Sequence, residues 1–112
     1  MQLIYCLFPN QQEAEEVVGV LLEERLIACA NLLPGVTSFF VWEGTVQNAN
    51  EVAVLFKTTE AAAPQVEAVI KSRHTYVCPC ILRVQVEEVE TAYAQWVQES
   101  VKDAIPTTKG RS

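Results

Sequence analysis

The chain has 112 residues, of which 50% are hydrophobic and 20% charged, and its formal net charge is -6. That balance excludes a disordered protein and leaves no basic surface for nucleic acid. A domain of this size buries roughly two-thirds of the surface its unfolded form exposes, so folding requires neither a metal nor a disulfide, and no run of about 18 apolar residues is present to span a membrane.

Leu3 to Phe8 is an uninterrupted apolar run closed by Pro9-Asn10, which reads as a buried strand followed by a helix start. It is too short for a secretion signal and lacks a basic flank, so the chain is expected in the cytosol with its four cysteines reduced. Asn10 with Glu13 resembles a capping box. Ala14, Val17, Val18, Leu21 and Leu22 then recur at helical spacing opposite Glu15, Glu16, Glu23 and Glu24, which predicts an amphipathic helix over residues 11–25.

From Ile27 to Thr59 the chain is rich in Val, Thr and Phe. Glu43-Gly44, between Phe39-Phe40-Val41-Trp42 and Thr45-Val46, suits a two-residue hairpin turn, because glycine supplies one of the positive φ values needed. Pro34-Gly35 inside the first arm predicts a bulge or bend rather than a reversal. Arms of about 14 residues are far longer than the usual strand of about 5 or 6, so the hairpin has to project beyond its own domain.

Thr58 or Thr59 is placed to cap a second helix that carries Pro64 in its first turns and Val66, Val69, Ile70 and Arg73 on its inner face. Pro79 pushes Cys78 out of helical space, and Cys80 to Val86 reads as a further strand. Tyr93, Trp96, Val97 and Val101 mark a third helix. The fold class is α+β: one ferredoxin-like βαββαβ domain over residues 1–104 with an extra C-terminal helix and a long β-hairpin, then a flexible tail over 105–112. Leu3 to Phe8, Phe39 to Trp42 and Val52 to Phe56 are apolar on both faces instead of alternating. Something has to cover the second face, and another copy of the chain is the expected cover.

His74-Thr75-Tyr76-Val77-Cys78-Pro79-Cys80 holds the single histidine and two of the four cysteines. Imidazole and thiolates are ligands that Cu(I) or Zn(II) would select. In an extended backbone Cys78 and Cys80 point to one face with Cα atoms roughly 6.6 to 6.8 Å apart, wide for a disulfide but able to chelate. The spacing matches no standard zinc pattern and falls one ligand short of a tetrahedral site. Cys6 and Cys29 lie in strands that read as buried and suit small core positions. Lys57, a charge in an apolar strand, has to reach the strand end or meet an anion. No Gly-rich phosphate loop, Gly-x-Ser-x-Gly elbow or paired-carboxylate signal stands out, so the chain is not expected to be an enzyme.

Ala28-Cys29-Ala30-Asn31 leading to Pro34-Gly35-Val36-Thr37-Ser38, then Trp42-Glu43-Gly44, then His74-Thr75-Tyr76 with Pro79, carry a resemblance. Together with Phe56-Lys57-Thr58-Thr59 and Tyr93-x-x-Trp96, they resemble the CutA family of divalent-cation tolerance proteins from about Leu3 to Val101. The resemblance implies a tight homotrimer similar to the PII signalling proteins, acting in tolerance of or response to divalent metal ions. It implies copper binding, with Cys6 and His74 as the positions concerned. Where the family reads His-Pro-Tyr-x-x-Pro-Glu, this chain has Thr75 for the proline and Cys80 for the acid, which shifts preference toward softer ions.

The metal candidates, for copper or zinc, are therefore Cys6, His74, Cys78 and Cys80. Cys29, Lys57, His74 and Tyr76 are expected to line an intersubunit cleft for a metal ion or small anionic ligand, while Trp42, Gly44 and Trp96 hold the trimer together. No cofactor is required. Two other readings stand beside this one: a PII-like signalling or structural hub for a protein partner, with metal effects indirect, and a thiol redox protein using Cys78 and Cys80.

Overall fold

The computed structural model describes residues 1–102. The expected tail over 105–112 and the domain limit at 104 lie outside the described residues. In chain order the elements are β1 (Gln2–Phe8), α1 (Gln11–Glu23), β2 (Cys29–Trp42), β3 (Thr45–Thr58), α2 (Ala63–Arg73), β4 (Ile81–Gln85) and α3 (Thr91–Ser100). The strands form one antiparallel sheet in the order β2-β3-β1-β4, as expected of a ferredoxin-like βαββαβ chain with a helix added. Ile4, Cys6 and Phe8 of β1 and Val52, Val54 and Phe56 of β3 turn to one face, where Val17 and Leu21 of α1 and Val66 and Ile70 of α2 close the core.

The start of α1 is local chemistry. Asn10 Oδ1 accepts the Glu13 N–H at 2.9 Å, and Asn10 Nδ2 donates to the Glu13 carboxylate at 3.3 Å, so the box closes through side chains. The helix stops at Glu23 rather than residue 25, because Arg25 takes a left-handed φ of 58°. That turn lets Leu26 N–H reach Leu21 O at 2.9 Å and Arg25 N–H reach Leu22 O at 3.0 Å, a Schellman motif without glycine. Leu21 and Leu26, the apolar pair that accompanies such a motif, are both fully buried.

The hairpin follows the sequence reading. Both arms run 14 residues, Trp42 faces Thr45, and Glu43 and Gly44 have φ of 52° and 78°, which makes the turn type I′. β1 pairs with β3 only from Val52 to Thr58. Thr45 to Asn50, with Thr37 to Trp42 opposite, therefore stands clear of the domain by about 20 Å. The register slips between Leu33 and Val36, with Gly35 at φ 77°, so the expected bulge sits where the hairpin leaves the domain.

Two starts differ from the sequence reading. Thr59 Oγ1 accepts the Ala62 N–H at 3.1 Å and so caps a short turn that leads into α2, which begins at Ala63 with Pro64 next. Thr58 is instead buried and donates to Leu26 O at 2.6 Å. β4 begins at Ile81, opposite Cys6, not at Cys80, and ends at Gln85, opposite Gln2. Cys78 consequently lies in an exposed bend, and the two thiols are not set on one face of a strand. On α3, Val97 and Val101 are buried as expected, while Trp96 stays largely open.

α1 and α2 cover one face of the sheet. Alternation places Leu3, Tyr5 and Leu7, Leu55 and Lys57, and Leu82 and Val84 on the other. α3 reaches only one corner of that face, where Tyr93 meets Cys29. Leu82 and Val84 are left 53% and 46% exposed, and Phe39, Val41 and Val46 of the projecting hairpin still more so.

Candidate functional site

The polar residues of the sheet gather at its two ends. At the first, α2 ends in basic Lys71 and Arg73, and His74 leaves the helix in extended backbone. Its ring stacks on Phe8 with centroids 4.8 Å apart at 21°. Nε2 lies 2.7 Å from Leu7 O, and Nδ1 accepts the Tyr76 N–H at 3.1 Å. A carbonyl oxygen only accepts, so Nε2 carries the proton and Nδ1 is bare: the two contacts select the neutral Nε2–H tautomer.

Tyr76 tilts against that ring and donates its hydroxyl to Glu51 at 2.9 Å. Glu51 is only 7% exposed. Burial, then the hydrogen bond to Glu51 and its charge, push the Tyr76 hydroxyl up to about 12. Thr75 donates to Glu13 at 2.9 Å, so two carboxylates from different elements hold the segment after α2. A hollow of about 220 Å³ beside it is lined by Glu13, Glu16, Val17, Arg73 and Thr75. A larger one, about 470 Å³, is lined by Pro64, Glu67, Ala68, Lys71 and Ser72 of α2.

Cys6 belongs to the same neighbourhood. It is fully buried, and burial with the nearby Cys80 pushes its thiol up to about 12. Half-buried Cys80 is raised by burial and by the Glu51 charge. Thiols held protonated in this way are poor nucleophiles, and a metal ion has to displace their protons to bind.

At the second end, Cys29 faces Lys57 across β2 and β3. Cys29 Sγ lies 3.4 Å from the Tyr93 hydroxyl, and Tyr93 packs against Trp96 at 5.6 Å. Lys57 Nζ donates to Asn31 Oδ1, so the charge in the apolar strand is answered by an amide. The hydrogen bond to Cys29, then burial, push the Tyr93 hydroxyl up to about 12.

The four residues expected to line one cleft thus fall into two pairs within a chain. Lys57 pairs with Leu3 at one end of β1, whereas His74 stacks on Phe8 at the other, a separation of about 17 Å along the strand. The four metal candidates are also divided: Cys6, His74 and Cys80 share the first end, and Cys78 stands apart in its bend. Among the described residues no three His, Cys, Asp or Glu side chains converge as a metal-holding group, and His74 spends both ring nitrogens on the backbone. All four cysteines are free thiols. Trp42 and Gly44 lie exposed at the hairpin tip, and Trp96 is exposed on α3.

Glu51 was not singled out by the sequence reading. Local sequence does not mark it, because Glu51 closes the polar stretch Gln47-Asn48-Ala49-Asn50. Glu13 carries no signal of its second role, since its bond to Thr75 joins residues 62 positions apart.

Comparison with known proteins gives these groups a setting. The profile of the CutA1 divalent ion tolerance protein family matches residues 2–100. The divalent-cation tolerance protein CutA of Pyrococcus horikoshii is 40% identical over 102 residues, covering 91% of this chain and 99% of that protein. The crystal structure of CutA1 from the same organism superposes with a TM-score of 0.86 at 39% identity, over 92% of this chain and all (100%) of the other. The structure of the periplasmic divalent cation tolerance protein CutA from Archaeoglobus fulgidus gives 0.87 at 36% identity, over 91% and 100%.

Proposed function

The chain belongs to the CutA1 divalent ion tolerance family, and from that premise we propose that it serves metal-ion tolerance as a binding protein. In this reading it is a homotrimer that holds copper, zinc or a small anionic ligand in clefts between copies. The observation that carries the reading is the division of the cleft residues. Cys29 with Lys57 and His74 with Tyr76 sit at opposite ends of one sheet whose second face is largely uncovered and apolar. In a closed ring, one end of each copy can meet the other end of the next, which completes a cleft that no single chain contains.

The reading is of a binder rather than an enzyme, because burial holds Cys6 in the protonated form and His74 has no free nitrogen with which to act as a base. A cytosolic location is part of the proposal, supported by four free thiols. No described helix is long and apolar enough to cross a membrane. Sedimentation of the reduced protein with equilibrium titration by Cu(I) and Zn(II) tests the reading. A trimer with one saturable site per chain is expected, and a monomer or a flat titration overturns it.

A further inference from the structure

The cleft residues leave Cys78-Pro79-Cys80 without a part. The segment lies between the end of α2 at Arg73 and the start of β4 at Ile81, outside both elements. Fixed points stand on either side of it. Before it, Thr75 bonds Glu13 and Tyr76 bonds Glu51; after it, Ile81 enters the ladder opposite Cys6. Between these anchors the chain bends at exposed Val77 and Cys78 and passes into half-buried Pro79 and Cys80. Val77 is 95% exposed, so the apex of the bend is open to reagents in solution.

Two residues of chain span at most about 7 Å, at the outer limit of the Cα separations a disulfide bridges. An extended strand would hold the pair at that limit. Neither cysteine belongs to a strand or a helix, so the segment can shorten without breaking a ladder. A bond between cysteines this close in sequence closes a very small ring, which constrains the unfolded chain little and is strained in the folded one. Strained, exposed disulfides are readily reduced, which suits reversible exchange rather than a permanent staple.

We propose that Cys78 and Cys80 form a reversible dithiol–disulfide site that exchanges with low-molecular-weight disulfides of the glutathione class, with exposed Cys78 as the entry thiol. Cys78, as its thiolate, attacks one sulfur of the small disulfide. A bond forms to Cys78, the reagent's own sulfur–sulfur bond breaks, and the departing thiolate takes up the proton that Cys78 gave up. Cys80 then loses its proton and attacks the Cys78 sulfur, which releases the second small thiol. Two protein thiols become one disulfide and one small disulfide becomes two thiols, with two electrons passing to the reagent. Half-buried Cys80 is the poorer nucleophile toward a free reagent, but its attack on Cys78 comes from within the same segment and needs no encounter. The site needs no metal and does not rest on the metal reading above.

The test equilibrates the full reduced chain, with a metal chelator present, in buffers of graded oxidised-to-reduced glutathione ratio, followed by acid quench, alkylation of remaining thiols and peptide mass spectrometry. The peptide carrying Cys78 and Cys80 should lose two hydrogens as the ratio rises and regain them in excess reduced glutathione. Fully buried Cys6 should stay free throughout. Cys80→Ser should stop at a glutathione adduct on Cys78, and Cys78→Ser should leave Cys80 free over the same period. Both positions lie outside the helices and strands, so both variants should keep the parent's circular dichroism. Two free thiols at every ratio, an adduct that persists on Cys78 in the parent, or a bond that links two copies overturns the site. None of these outcomes bears on sedimentation or metal titration, so this proposal and the metal reading fail separately.

Discussion

Arg25 holds a backbone conformation that its side chain does nothing to favour. A left-handed non-glycine residue costs roughly 1 to 2 kcal/mol, and here burial of Leu21 and Leu26 offsets it. Arg25→Gly should raise stability by about 0.5 to 1 kcal/mol in urea unfolding, net of the greater freedom glycine gives the unfolded chain. The carbonyl that accepts Lys102 N–H at 2.9 Å belongs to the backbone and survives the change. Glu51 offers a second test. Removing its charge while keeping an acceptor, in Glu51→Gln, should bring the Tyr76 hydroxyl down from about 12 toward its ordinary value in an ultraviolet titration; an unmoved midpoint would leave burial and the Glu13 charge as the causes. The two buried-strand charges show what a sequence reveals at this scale. Lys57 stands alone among apolar neighbours and is conspicuous, whereas Glu51 follows Gln47-Asn48-Ala49-Asn50 and reads as the last residue of a polar stretch. That it is the first residue inside the fold depends on where β1 ends, which is a long-range fact.

The elements were legible where their signals are local. Glu43-Gly44, Pro34-Gly35 and the unbroken apolar arms give the turn, the bulge and the length of the hairpin, because each acts over a few residues. The end of α1 and the start of β4 were not, since one is set by Leu26 entering the core and the other by the register in which β4 meets β1, with Ile81 opposite Cys6. In the turn itself Glu43 occupies a left-handed position that Asn prefers, so Glu43→Asn should stabilise the hairpin by about 0.5 to 1 kcal/mol, read as a higher Tm. The anchor of α3 responds to pH. Tyr93 ionises near 12 in the folded chain, above its value in the unfolded one, so between about 10 and 12 the unfolded state sheds its proton first. The contribution is complete below pH 10 or so and is lost as pH rises through that window, with Tyr76 adding in the same direction. The Tm should fall across this range, and less steeply in a Tyr76→Phe, Tyr93→Phe double variant; equal slopes would place the alkaline loss elsewhere.

At the scale of the whole molecule, the dimensions of 54 × 28 × 24 Å describe a domain with an arm, and the arm is apolar. Phe39, Val41 and Val46 on the projecting hairpin are over 60% exposed on the side that continues the helix-covered face, while Leu82 and Val84 with half-buried Leu3 and Tyr5 leave a second apolar area on the opposite face. A soluble monomer rarely leaves this much apolar surface exposed. The contact between copies proposed here removes it from water, and every copy brings a net charge of -6, so burial has to outweigh mutual repulsion. A carboxylate introduced into that contact would lie in an apolar setting without a partner, a loss of about 3 to 5 kcal/mol for each buried copy. Val84→Glu is the sharper choice, because Val84 pairs with Leu3 on the face the helices leave open and is 46% exposed, so the substituted side chain is solvated in the isolated chain. The variant should therefore keep its circular dichroism and sediment as single copies, against the trimer proposed for the parent. An unchanged trimer in Val84→Glu would take this face out of the contact and leave the hairpin alone to hold the copies together.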